Sequence, residues 1–129
     1  KGPTLSIIKN NYGYIFGGYT NISWDQPTSF TYKSDKNAFL YQIKPKIKIF
    51  KTKYTGHNAV MHKNNRMCCY GSGNDIKIGN HCNDNQSSYS YPSSYTLQFA
   101  SELVGSTPNT FTVDFTVKDI EIFLVKHTL

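Results

Sequence analysis

A chain of 129 residues has room for one two-layer core and too few residues for several independent ones. Hydrophobic residues are only 38% of it, but ten Tyr and eight Phe bring the aromatic share to 15%, so rings supply much of the apolar area and sheet is favoured over helix. The formal charge of +6 suits an anionic partner, yet Arg66 is the only arginine, and the scarcity of guanidinium forks argues against phosphate or base readout.

Residues 4–9 (TLSIIK) have the β-branched content of a strand, residues 10–13 (NNYG) read as a turn, and residues 14–19 (YIFGGY) resume a strand, so the chain opens as a β-hairpin. Gly17-Gly18 interrupts the second strand and predicts a bulge or a close crossing by another element. Residues 20–24 (TNISW) continue it, and Trp24, the single tryptophan, is expected at the core or its edge. Residues 25–36 are polar, carry Pro27 and form a surface loop. Residues 37–43 (NAFLYQI) are apolar enough for a buried strand. Along residues 44–53 (KPKIKIFKTK) an extended chain sets Lys44, Lys46 and Lys48 on one side and Ile47 and Ile49 on the other. That basic face has three readings: protection of a sheet edge, docking of an acidic partner, or contact with nucleic acid.

Residues 54–66 hold His57 and His62 in a weak pattern that matches no metalloprotease motif. Residues 67–70 (MCCY) lead into the stretch around which the chain is arranged, residues 70–82 (YGSGNDIKIGNHC). Here Gly71 and Gly73 shape a turn, Asp75 can bond local backbone, and Ile76 and Ile78 alternate with Lys77 in a short strand. No helix follows the glycines, so a phosphate-binding loop is disfavoured. Cys68, Cys69 and Cys82 are odd in number and too few for a disulfide framework, and reduced thiols are expected. A zinc site would need Cys68 or Cys69 to meet His81 and Cys82, an unusual spacing, and the adjacency of His81 and Cys82 along the chain does not by itself make a catalytic Cys-His pair.

Residues 83–94 form an ordered polar loop with Tyr89 and Tyr91, residues 95–99 (YTLQF) alternate as a strand, and residues 100–104 supply one helical turn. In residues 111–125 (FTVDFTVKDIEIFLV), Phe111, Val113 and Phe115 share one face, Ile120, Ile122 and Leu124 another, with the break at residues 117–119. The sum is a mainly β protein: an antiparallel two-layer β-sandwich with short flanking helices or turns, its core including Phe16, Trp24, Phe39, Ile76, Ile78, Phe115, Ile120, Ile122 and Leu124.

Several motifs, in order, resemble the TLDc domain family from Gly2 to about Val125: GPTLSIIK, YIFGGYTNISW, NAFLYQI, YGSGNDIKIGNHCN, SSYSYPSSY and FTVKDIEIFLV. Two departures are a shortened glycine run, Gly71-Ser72-Gly73, and no counterpart to the family's amino-terminal stretch before GPTL, as in a cropped, shorter or two-chain member. The resemblance implies one β-sandwich domain over residues 1–129 and a non-catalytic protein-interaction module. It also implies a role in oxidative-stress resistance and a partner in the vacuolar proton-pumping ATPase, hence a cytoplasmic place docked on an organelle membrane through that partner.

No acid/base pair, nucleotide fingerprint or metal spacing is legible, so neither enzymatic activity nor a cofactor is expected. No stretch reaches the roughly 18 apolar residues of a membrane span. The candidate partner-binding residues are Lys44, Lys46, Lys48, Tyr89 and Tyr91: lysines to steer an acidic protein and tyrosines to give contact area. The competing reading is a nucleic-acid or carbohydrate-binding β domain.

Overall fold

The structure is a computed structural model that describes residues 3–24, 31–62, 66–79 and 88–126. Two antiparallel sheets face each other. The first contains β1 (Thr4–Asn10), β2 (Ile15–Thr20), β4 (Phe39–Lys44), β5 (Lys48–Lys51) and β11 (Val117–Leu124), in the order β11-β1-β2-β4-β5. The second contains β3 (Thr31–Lys33), β6 (Val60–His62), β7 (Arg66–Tyr70), β8 (Ile76–Gly79), β9 (Ser88–Ser90) and β10 (Val113–Phe115), in the order β10-β9-β8-β7-β6-β3. The expected β-sandwich is therefore the fold.

Between the sheets, Ile8, Phe16, Leu40 and Phe50 meet Val60, Cys68, Tyr70, Ile76, Ile78, Val113 and Phe115. Phe16 and Phe115 touch edge to face at 5.4 Å, a geometry that sets the positive edge of one ring on the negative face of the other. A single helical turn, α1 (Ser101–Val104), closes one end with Leu103 and Val104 buried. It forms as expected, and Glu102 Oε1 reaches back to accept the backbone N–H groups of Gln98 (2.6 Å) and Phe99 (2.9 Å), which fixes the chain just before the turn. Gln42, on the inner side of β4, donates Nε2 to the carbonyls of Glu102 and Leu103 and ties the turn to the first sheet.

The opening hairpin and its glycine pair behave as the sequence suggests. A Cβ on Gly18 would lie 2.6 Å from the Tyr70 ring of the second sheet, and one on Gly17 would strike the Ser6 carbonyl and the Tyr41 hydroxyl. Each glycine thus admits a tyrosine, one from inside and one from outside. Trp24 packs at the core edge against His62 and Tyr70, its indole N–H on Thr4 Oγ1 at 2.9 Å.

Other expectations need correction. β2 stops at Thr20 because the buried Asp35 carboxylate takes the Thr20 hydroxyl and the Asn21 N–H, both at 2.7 Å. Residues 44–53 are not one strand: the chain leaves β4 at Lys44, reverses, and returns as β5 from Lys48, since Pro45 cannot donate to a continuing ladder. Residues 95–99 form no strand beyond one bridge from Tyr95 to Thr52, because the Tyr95 N–H is claimed by the Asp75 carboxylate. The break near the end falls at Thr116, whose N–H goes to Asn11 Oδ1, so β11 already begins at Val117. The three-residue strands β3, β6 and β9 lie in polar or weakly patterned stretches and escape a periodicity reading.

Phe16, Ile76, Ile78 and Phe115 are fully buried, and Ile120 packs partly buried against the core. Ile122 and Leu124 are not core: register puts them on the inner side of β11, opposite Ser6 and Thr4, yet they are 43% and 57% exposed. Alternation fixes the side of a strand on which a residue sits, not whether the opposing sheet reaches an edge strand. Phe39 is half-buried on the outer side, and its neighbour Leu40 points inward instead.

Candidate functional site: the outer face of the five-stranded sheet

The face of the first sheet that turns away from the core is apolar, where an antiparallel sandwich usually presents polar side chains to water. Register aligns two rows across it. One runs Glu121, Ile7, Gly17, Tyr41, Ile49; the next runs Phe123, Leu5, Tyr19, Phe39, Lys51. Tyr19 stacks on Phe39 at 5.4 Å, and Phe39 lies against Tyr41 at 6.2 Å. The Tyr41 ring crosses the gap left by Gly17 and donates its hydroxyl to the Ser6 carbonyl at 2.7 Å. Burial there pushes the Tyr41 phenol up to about 12, so it stays a neutral donor across the physiological range.

At the β4–β5 end the face runs onto Ile43, Ile47 and Ile49, which are 43%, 84% and 62% exposed. A hollow of about 300 Å³ is lined there by Leu5, Ile7, Phe39, Tyr41, Ile43, Ile47, Lys48 and Ile49. It shares Ile7 with a smaller hollow beside Lys9, Asp119 and Glu121, and shares Phe39 and Ile49 with one beside Lys36 and Lys51. The three join into a trough, apolar along its floor and charged at its ends.

Lys44, Lys46 and Lys48 are exposed, but they do not alternate along one strand face; they ring the turn between β4 and β5, with Lys51 further along. Tyr89 lies on β9 of the other sheet and Tyr91 just beyond its end. Tyr89 is half-buried, accepts a hydrogen bond from Asn74 Nδ2 at 2.7 Å and has the Lys77 ammonium 5.1 Å from its ring centre. Tyr91 is exposed and meets Phe111 edge to face at 5.1 Å. The lysines and tyrosines named from sequence are thus carried by different sheets.

The residues missed from sequence are the outward ones: Leu5, Ile7, Tyr19, Tyr41 and Ile43. Their signal was partial: Leu5 and Ile7, and Phe39, Tyr41 and Ile43, fill one phase of the alternation, while the other phase mixes Ile8 and Leu40 with Thr4, Ser6 and Gln42, so alternation alone points the apolar phase at the core.

The glycine-rich turn serves a buried carboxylate. Asp75 accepts the N–H groups of Ser93 (2.9 Å), Ser94 (2.9 Å) and Tyr95 (3.1 Å) and the Ser93 hydroxyl (2.6 Å). A Cβ on Gly71 would sit 1.9 Å from its Oδ1, so the glycine makes room for the acid and not for a phosphate. Burial raises the Asp75 pKa, and these four hydrogen bonds offset only part of the rise. Cys68 and Cys69 are buried, His62 is buried and His57 exposed; His81 and Cys82 lie outside the described residues. Among the described residues, no group of three or more His, Cys, Asp or Glu is placed to hold a metal ion, and no helix is long and apolar enough to cross a membrane.

The two antiparallel sheets, one of them with an apolar outer face, define a small β-sandwich domain. The chain belongs to the TLDc domain family, whose pattern it matches over residues 1–126. It is 31% identical over 74 residues to the MTOR-associated protein MEAK7 of Danio rerio, an alignment covering 57% of this chain and 16% of that protein. The corresponding proteins of Xenopus laevis and Gallus gallus are each 36% identical over 58 residues, or 45% of this chain and 12% of theirs. The chain therefore spans a small part of the relatives it matches.

Proposed function

We propose that this domain is a non-catalytic protein-interaction module that docks through the outer face of the five-stranded sheet and the lysines at its β4–β5 turn. The observation that carries the reading is the continuity of exposed Ile43, Ile47 and Ile49 with Lys44, Lys46 and Lys48: apolar area gives affinity, and the lysines steer an acidic surface toward it. Family resemblance nominates a subunit of the vacuolar proton-pumping ATPase, with a contribution to oxidative-stress resistance. The name of the relatives nominates an mTOR-containing assembly. Either partner would place the domain in the cytoplasm, held to an organelle membrane through protein contacts. Tyr89 and Tyr91 then form a separate contact area on the other sheet.

The test is affinity capture from the source cell, followed by direct binding of the captured protein to wild type and to the Lys44/Lys46/Lys48→Glu variant. The variant is expected to keep its fold and to lose association rate by about tenfold at low salt, with the difference shrinking as salt is added. An unchanged rate and affinity, or selective capture of nucleic acid or carbohydrate by wild type, would reject the reading. Reproducible multiple turnover of a hydrolase or redox substrate, lost in a folded Cys82→Ser variant, would reject its non-catalytic half.

A further inference from the structure

We infer that the trough on the outer face receives an amphipathic helix of the partner protein, lying across the strands with its apolar stripe down and an acidic flank toward the β4–β5 turn. This deepens the interaction reading and rests on it. Three observations on the molecule select a helix and its charge.

The first is the apolar outer side of β1 and β4. Leu5 and Ile7 on β1 and Phe39, Tyr41 and Ile43 on β4 face out, whereas the inner sides mix Ile8 and Leu40 with the buried Thr4, Ser6 and Gln42. An antiparallel sheet this apolar on its outer side is suited to a covering layer there, and a two-sheet sandwich covers only the inner side. The second is that the β5 edge suits face-on docking better than strand addition. Past Ile49 its backbone is already engaged, with Lys51 accepting from the Thr96 N–H, Thr52 bridging Tyr95 and Lys53 donating to Ser94. Lys48 sits at the remaining edge, where lysine discourages pairing.

The third is charge. Along the β4–β5 side, Lys36 and Lys51 line one hollow of the trough and Lys48 the next, with Lys44 and Lys46 exposed at the adjoining turn, whereas Asp119 and Glu121 lie at the β11 end beside Lys9. An occupant with Asp or Glu over the lysine end gains attraction, and one with Lys or Arg there is repelled. The size also fits. From β1 to β5 is three interstrand steps, or ~14 Å, which ~10–12 residues of helix cover at ~1.5 Å each.

The probes are three fluorescent peptides of about 16 residues, each with the same apolar content. One has an i, i+3, i+4, i+7 Leu stripe with Glu flanks, one has the same stripe with Lys flanks, and one has the Glu peptide's composition with the stripe scrambled. Binding to the 129-residue chain is read by anisotropy, and the bound face by amide shifts. The striped Glu peptide should bind at least about tenfold more tightly than either control, shift the amides of β1, β4 and β5, and lose about tenfold on Ile49→Glu, with Ile43→Glu as a second, independent variant. Equal binding of the scrambled peptide, unchanged binding in both folded variants, or shifts confined to the β8–β9 face would overturn the helix. Two results would replace the occupant: a dimer of the chain alone that Ile43→Glu dissolves, making it a second copy, or an Ile49→Cys thiol blocked from labelling in the protein without partner, making it the chain's own segment. If the cellular partner depends on Lys44, Lys46 and Lys48 while no striped peptide binds, the helix falls and the interaction reading stands. If the striped peptide binds as described but affinity capture yields no protein that depends on the lysines, the interaction reading falls and takes the partner's helix with it.

Discussion

Asp75 shows how one side chain can organise a loop. Its two oxygens hold the chain at Ser93, Ser94 and Tyr95, and Gly71 opens the space it occupies. Asp75→Asn swaps one acceptor for an amide donor, and whichever oxygen is replaced, a backbone N–H that had a partner faces another N–H. The expected loss is about 3 kcal/mol, measured by urea unfolding at neutral pH. The pH dependence follows from the raised pKa. The native state binds this proton more tightly than the unfolded chain, so the group's contribution is fully present below its ordinary value of 3.8 and declines as pH rises through the folded value. The advantage of wild type over Asp75→Asn should therefore be larger near pH 3 than at neutral pH. An advantage that grows with pH would mean that the four hydrogen bonds outweigh burial.

At the scale of elements, a strand's place in its sheet decides what its apolar residues contribute. Ile76 on the central strand β8 is fully buried, whereas Ile122 on the edge strand β11 is well exposed. Ile76→Ala should cost about 3–4 kcal/mol and Ile122→Ala under about 1 kcal/mol, although the two residues look equivalent in the sequence. Parallel chemical-denaturation curves would check this; equal costs would contradict the placement of β11. The comparison also shows where reading the chain succeeds. The opening hairpin, the helical turn, the strand after Gly73 and the sandwich itself are local or compositional facts, and a period of two with turn residues between is enough to find them. Which strand stands at an edge, and which side of NAFLYQI meets the core, depend on pairings between distant segments. The candidate site was half legible for the same reason. Lys44, Lys46 and Lys48 could be picked out as exposed, but the apolar trough beside them is assembled from β1, β2, β4, β5 and β11, and no single stretch displays it.

For the molecule as a whole, the sheet order makes the opening and closing strands neighbours: β11 lies along β1 in antiparallel register, with Thr4 opposite Leu124 and the Val125 N–H on the Pro3 carbonyl at 2.9 Å. The chain thus arrives at and departs from the sheet at the same corner. A load applied through residues 3 and 125 bears on that corner alone and peels β11 from β1 one pair of hydrogen bonds at a time. Attachment at residues 4 and 117, at opposite ends of the strand pair, loads the whole ladder at once in shear. Optical-tweezer pulling should give a markedly lower rupture force in the first geometry than in the second, and equal forces would place the mechanical weak point elsewhere. Spliced into a longer polypeptide, this domain is a zip and not a strut: tension along the backbone opens it from the corner, stripping β11 and, with it, the wall of the trough that carries Asp119, Glu121 and Phe123 before the core of the sandwich yields.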